Sequence, residues 1–283
     1  KGSLKSKPKE QVLKEFRLLR RQGVEEIILI AQDLGDFGKD IGYKKSEGLV
    51  DLLEDLLKEE GDFWIRLLYL YPDEISDELI ALMKSDSRIL RYIDMPIQHI
   101  NSDVLKAMHR KTSKEDIINT LSKIRKELPD IVIRTSLIVG FPQETDEQFE
   151  ELCKFVKEYK LDNIGIFSYS KEENTPAANM PGQIPESTKK ARLEKLAKIQ
   201  KQVVQKKNEA LVGKTVDAFV EGFHPDSRLL LRGRFSGQAP DIDGIIIINE
   251  AIGVDQFGKR YRVEITGTCE YDLIGRVIQH TKI

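Results

Sequence analysis

The chain is expected to be an α/β protein: a partial barrel of parallel strands followed by a small all-β barrel. Three observations predict this. From Glu10 to about Leu211, helix-period segments alternate with short strand-like runs, the pattern of βα repetition around a parallel sheet. Several of those runs end in clusters of polar side chains, as strands do at the ligand-binding end of a βα barrel. After Gly213 the composition changes to short alternating strands punctuated by Asp243-Gly244 and Phe257-Gly258, which supply turn chemistry.

The elements follow in order. Val12, Phe16, Leu19 and Gly23 outline a first helix, and Glu26 to Ala31 a first strand. A helix from Leu49 to Leu57 leads to the strand Trp64 to Leu70, which Pro72 stops. The cycle continues with helix Glu74 to Met83, strand Arg91 to Met95, helices Val104 to Met108 and Asp116 to Leu128, strand Ile131 to Val139, helix Glu147 to Tyr159 and strand Asn163 to Phe167. The visible strands are fewer than a closed barrel needs and the chain opens on a helix, so a first strand is expected ahead of residue 1; an open doubly wound sheet is the alternative that periodicity leaves standing. Glu186 to Leu211 reads as one long connector helix on the first domain, with Leu193, Leu196, Ile199 and Val203 on one stripe and a basic, solvated remainder. Five short strands, Thr215 to Glu221, Arg228 to Arg232, Gly244 to Ile248, Tyr261 to Thr268 and Gly275 to His280, suggest a barrel of the oligonucleotide-binding kind. The domains are therefore expected at 1–211 and 212–283.

The bulk properties exclude some functions. Lys+Arg 45 against Asp+Glu 47 gives a net charge of -2, so no global field attracts nucleic acid or acidic membranes. From Leu211 to the end, nine Lys plus Arg face ten Asp plus Glu; a nucleic-acid contact there would need a concentrated patch around Arg228, Arg232 and Arg234. The longest apolar runs, such as Ile245 to Ile248, are far short of the roughly 20 residues that span a bilayer. The basic N-terminus has no apolar run behind it, and Cys153 and Cys269 are too few for a disulfide framework. A monomer without membrane contact, in the cytoplasm, is expected.

Polar groups recur at the strand ends: Gln32 and Asp33; Tyr69 and Tyr71; Asp94, Gln98 and His99; Arg134, Thr135 and Ser136; Ser168, Tyr169 and Ser170. Singly each is weak, and His109, His224 and His280 are read as structural. Recurrence at the same end of successive strands raises Gln98 and His99. In Leu137 to Thr145, Gly140 allows a backbone or ligand to come close, Pro142 fixes the turn, and Thr145 stands three residues before Gln148 as a helix N-cap would. Arg134 offers a rigid fork of donors for a carboxylate or ribose. Glu172 and Glu173 are adjacent carboxylates in a loop, expected to be solvated.

Taken together, IAQDLGDFG (30–38), IRLLYLYPDEI (65–75), YIDMPIQHI (92–100), VLKAMHRKT (104–112), IRTSLIVGFPQET (133–145) and FSYSKEENTPA (167–177) resemble the radical S-adenosylmethionine methylthiotransferases. The resemblance covers nearly the whole chain. It implies a partial (β/α)6 radical-SAM barrel followed by a TRAM domain. GQAPDIDG (237–244) and the strand ends look more like the RimO-type branch, which methylthiolates the β-carbon of an aspartate in small-subunit ribosomal protein twelve, than the tRNA-modifying MiaB type. The slightly acidic tail points the same way.

The resemblance further implies S-adenosyl-L-methionine as cofactor, two [4Fe-4S] clusters in the intact parent, an electron donor protein, and contact with the ribosomal protein through the TRAM domain. It places Gln32, Asp33, Gln98, His99, Arg134, Gly140, Tyr169 and Ser170 on the wall for cofactor and substrate. The CxxxCxxC that holds the family's radical cluster does not occur in this sequence, neither cysteine stands at a ligand position, and Gln143 replaces the usual Gly of GFPGET. The chain by itself is therefore expected to be inactive. Other readings are tRNA methylthiolation, a non-catalytic ribosome- or RNA-binding module, and a cofactor-independent barrel enzyme.

Overall fold

The structure is a computed structural model that describes residues 3–280, with side chains to residue 278; the side chain of His280 lies outside the described residues. The chain divides into two units, Lys1–Lys154 with Ile164–Leu193, and Phe155–Asn163 with Glu194–Ile283.

In the first unit, β1 (Glu26–Ile30), β2 (Trp64–Leu68), β3 (Ile89–Asp94), β4 (Val132–Val139) and β5 (Asn163–Ser168) lie side by side in the order β1-β2-β3-β4-β5. The β1–β2, β2–β3 and β3–β4 pairs are parallel. Each crossover thus adds the next strand on the same side of the last. A doubly wound sheet reverses that order partway, so the alternative is excluded and the partial barrel stands. Helices cover the sheet: α1 (Lys9–Arg21), α2 (Glu47–Leu57), α3 (Asp77–Ser85), α4 (Ser102–Ala107), α5 (Lys114–Glu127) and α6 (Asp146–Tyr159). β2 is buried along its whole length, as parallel strands are. Its central Arg66 is tolerated because Glu26 Oε1 accepts from its Nε at 2.7 Å and its guanidinium lies 4.5 Å from the Tyr92 ring centroid.

Local chemistry sets the helix starts. Asn101 accepts from the amides of Asp103 and Val104, and Ser113 forms a reciprocal capping box with Asp116. The expected box at Thr145 is present: its amide donates to Gln148 Oε1 at 2.9 Å and its hydroxyl accepts from the Gln148 amide at 3.3 Å. One expectation needs correction. The helix foreseen from Glu74 is a 3₁₀ turn, Pro72–Glu74, followed by α3 from Asp77. Pro72 opens the turn, and Ser76 Oγ, accepting from the Leu79 amide at 3.1 Å, restarts the chain as an α-helix. Glu74 is thereby placed under the strand ends instead of on a helix face.

The helix α7 (Glu186–Glu209) runs through the division between the units. The second unit carries β6 (Thr215–His224), β7 (Ser227–Phe235), β8 (Ile246–Glu250), β9 (Lys259–Cys269) and β10 (Asp272–His280), closed as β10-β8-β7-β6-β9. The pairings are antiparallel except β10 with β8. Ala218, Val220, Leu231, Ile246, Ile248, Tyr261 and Val263 are among the residues filling its core. Tyr261 is accommodated there because its hydroxyl donates to Asp255 Oδ1 at 2.7 Å. The arginine patch that a nucleic-acid contact would need does not form. Arg234 is buried with its Nε on Glu221 at 2.5 Å, and Arg232 lies 3.4 Å from the same carboxylate. Only Arg228 of the three is exposed.

Candidate functional site

The C-terminal ends of the five parallel strands form one rim, and the backbone there is unusual. Tyr69 after β2, Gln98 beyond β3 and Gly140 after β4 have φ of 63°, 70° and 73°. Two of these are non-glycine residues in the left-handed region, a conformation that costs free energy and clusters at ligand sites. Gln98 is held by its own main chain: its amide donates to Ser136 O at 2.9 Å and its carbonyl accepts from the Ile138 amide at 2.8 Å. Its side chain is left half-exposed. Beside it, Asp94 is fully buried and accepts from Arg134 Nη1 at 2.8 Å and from the Tyr69 amide at 3.3 Å. Arg134 is thus already paired with a carboxylate of the protein. Its guanidinium is fixed in place, and its readiness for a ligand carboxylate is smaller than the sequence suggests.

His99 departs further from expectation. The ring is fully buried, Nδ1 accepts from the Asn101 amide at 2.9 Å, and Nε2 lies 3.1 Å from Glu144 Oε1. An amide can only donate, so Nδ1 is the acceptor and the proton sits on Nε2, aimed at Glu144. Both ring nitrogens are thus already engaged within the protein. Glu144 is the hub of this network. Its Oε2 accepts from the Gly140 amide at 2.6 Å and from Arg192 Nη1 at 2.5 Å, while Arg192 Nη2 reaches Asp146 at 2.7 Å. Gly140 does admit a close neighbour: a Cβ there would stand 2.5 Å from Lys189 Cγ.

Lys189 is itself buried, with Nζ 5.2 Å from the Tyr169 ring centroid. That ring also packs T-shaped with Phe141, centroids 5.3 Å apart, and the Tyr169 amide donates to Val139 O. The ring is therefore fixed, yet its hydroxyl is buried without a hydrogen-bond partner. Ser170 is exposed and donates to Glu172 at 2.9 Å; Gln32 is exposed on the opposite edge of the rim.

Asp33 belongs to a second cluster. It accepts from the Asp36 amide at 3.1 Å, and one carboxylate oxygen each from Asp33, Asp36 and Glu74 lie within 4.8 Å of one another. Glu74 is fully buried, and burial together with Asp33 pushes its carboxyl up to about 8. Sequence reading therefore found Gln32, Asp33, Gln98, Arg134, Tyr169 and Ser170 at the rim. It missed Glu74, Glu144, Lys189 and Arg192. Glu74 and Glu144 stand inside motifs that were noticed, where a carboxylate beside Pro72 or Pro142 was the available signal. Nothing local marks Lys189 or Arg192.

The family profile of the radical SAM superfamily matches residues 1–156, and that of the TRAM domain matches residues 212–278. The ribosomal protein uS12 methylthiotransferase RimO of Protochlamydia amoebophila (strain UWE25) is 57% identical over 278 residues, 98% of this chain and 58% of that protein. The protein of the same name from Bdellovibrio bacteriovorus is 47% identical over 98% of this chain and 61% of its own length. The chain thus spans about three fifths of the length of the curated relatives it matches. Among solved structures, the radical SAM enzyme coproporphyrinogen III oxidase (HemN) from Escherichia coli superposes with a TM-score of 0.47 at 16% identity, covering 81% of this chain and 60% of that one.

Proposed function

The chain belongs to the radical SAM superfamily, and on that premise we propose that it is the barrel and TRAM portion of a methylthiotransferase acting on the β-carbon of an aspartate in ribosomal protein uS12. The observation that carries the reading is 57% identity, sustained over 98% of the chain, to a relative named for that activity. The paired arginines of the tail barrel favour a protein partner over tRNA, since Glu221 already neutralises Arg234 and lies beside Arg232.

The residues present fit S-adenosylmethionine at the rim. The buried, unpartnered Tyr169 hydroxyl is a polar atom in search of one more bond, and the exposed Gln32 and half-exposed Gln98 side chains offer donors and acceptors along the same rim. Held there by Gln32, Gln98 and Tyr169, S-adenosylmethionine would supply radical hydrogen-abstraction chemistry. The protein's part is placement. Asp94 holds the Arg134 guanidinium, Tyr169 and Phe141 give an apolar wall that excludes water, and the side-chain carboxamide of Gln98 orients a polar group of cofactor or substrate. His99, Glu144 and Gly140 keep that wall in shape.

The residues do not fit an iron-sulfur cluster. Cys153 is buried in α6 and Cys269 is exposed in β9, and the described residues contain no group of three cysteines. Both clusters, and reduction by an electron-donor protein, belong to the full-length parent in this proposal. A monomer working in the cytoplasm, with its TRAM domain on uS12, completes the proposal.

The test is anaerobic reconstitution of the full-length parent with iron and sulfide, then incubation with S-adenosylmethionine, reductant, small ribosomal subunits and tRNA. A methylthio mass increment on an aspartyl peptide of uS12 is expected. An increment on tRNA alone, or on neither, overturns the proposal.

A further inference from the structure

We propose that Asp33, Asp36 and Glu74 bind a hard divalent cation, of the Mg2+, Mn2+ or Ca2+ class, at the β1 and β2 strand ends. Asp33 and Asp36 come from the loop after β1 and Glu74 from the 3₁₀ turn after β2, and their oxygens converge within 4.8 Å. An all-carboxylate set selects hard cations over zinc or iron.

An acidic cluster alone would not carry this. The independent observation is Glu74. Its side chain is fully buried, and Oε1 has no hydrogen-bond partner. The nearest cation of the protein, Lys45 Nζ, stays 3.8 Å away and spends its short contact on Asp73. The other oxygen is fixed, because Oε2 accepts from the Tyr71 amide at 2.8 Å. The main chain makes room for this buried carboxyl: a Cβ at Gly35 would stand 2.4 Å from Glu74 Cδ. No N–H or hydroxyl of the protein reaches Oε1, whose proton is shared with Asp33 instead; a cation held by Asp33, Asp36 and Glu74 displaces that proton and takes its place. A cavity of about 230 Å3, lined by the three carboxylates and by Tyr71, Lys45 and Arg110 among others, gives access from solvent. Lys39, 2.8 Å from Asp36 and 40% exposed, is free to swing aside.

The test uses the 283-residue chain stripped with EDTA and titrated with MnCl2 alone, free Mn2+ being read from its electron paramagnetic resonance signal. One Mn2+ per chain is expected, displaced by excess Mg2+ or Ca2+, with a rise in melting temperature. Removing a ligand should weaken binding by at least the roughly 10–100-fold that loss of an outer-shell partner costs, in Glu74→Gln and in Asp36→Asn. The second variant changes a partly exposed residue and keeps the test decisive if the buried change unfolds the chain; circular dichroism checks both folds. Absence of bound Mn2+ in the wild-type chain, or equal binding by wild type and folded Asp36→Asn, overturns the proposal.

Discussion

The ends of β3 and β4 and the ends of β1, β2 and β5 share one rim but treat their polar groups in opposite ways. Behind β3 and β4, His99 uses both ring nitrogens, and Glu144 takes up the Gly140 amide, Arg192 and His99 together. At the other ends, Glu74 Oε1 and the Tyr169 hydroxyl are buried without a hydrogen-bond partner. The first network is paired at His99 and Glu144 and sets shape, with Arg192 Nε left buried and unpartnered at its edge. The open groups carry a desolvation cost that a bound molecule can relieve. Burial and polarity alone would have ranked His99 first among functional candidates; counting partners reverses that order.

The comparison breaks most visibly at Glu144. Glu144→Ala leaves the Gly140 amide without its acceptor and the buried Arg192 with Asp146 as its remaining carboxylate, and removing one partner of a buried ion pair costs on the order of 3–5 kcal/mol. Urea unfolding of the chain should show a loss of that size; a loss within about 0.5 kcal/mol, the range of ordinary surface changes, would mean the network bears no weight. Gly140→Ala comes next. It places a Cβ at φ 73° and 2.5 Å from Lys189 Cγ, and about 1–3 kcal/mol is expected from the strained backbone, measured in the same way.

Much of this organisation was legible in the sequence. The alternating periods set out the strands and α-helices of the sheet unit, the start of α3 excepted, and strand ends such as Asp33 and Gln98 were found because polar residues terminate apolar runs. The Thr145 box was legible because its partners are three residues apart. What stayed hidden depends on long separations: Glu144 meets Arg192 across 48 positions and His99 across 45, and no local pattern encodes either. Lys189 read as part of a solvated basic helix face, yet it is buried against Gly140 and Tyr169. Arg134 read as free for a ligand because Asp94, its partner on the neighbouring strand, is brought opposite it only by the register of β3 with β4.

A smaller effect sharpens the other side of the comparison. In metal-free buffer Glu74, facing Asp33 and Asp36 and with Lys45 and Asp73 nearby, titrates in the folded chain near 8, against roughly 4.3 for an unfolded glutamate. The folded state holds that proton more tightly. The resulting stability is fully present below about pH 4.3 and is lost as pH rises through about 8. Melting temperatures of Glu74→Gln and wild type should therefore differ more at pH 9 than at pH 6, in favour of the variant; parallel curves would place the ionisation elsewhere.

The most direct test is Tyr169→Phe in the reconstituted full-length parent, with unfolding midpoint and S-adenosylmethionine affinity, by equilibrium dialysis, measured on the same protein. Removing an unpartnered hydroxyl should leave the midpoint unchanged, while loss of one hydrogen bond worth about 0.5–1.5 kcal/mol weakens the cofactor roughly 2- to 13-fold. A lowered midpoint with unchanged affinity would contradict the account, because it would make Tyr169 part of the closed network and not of the open rim.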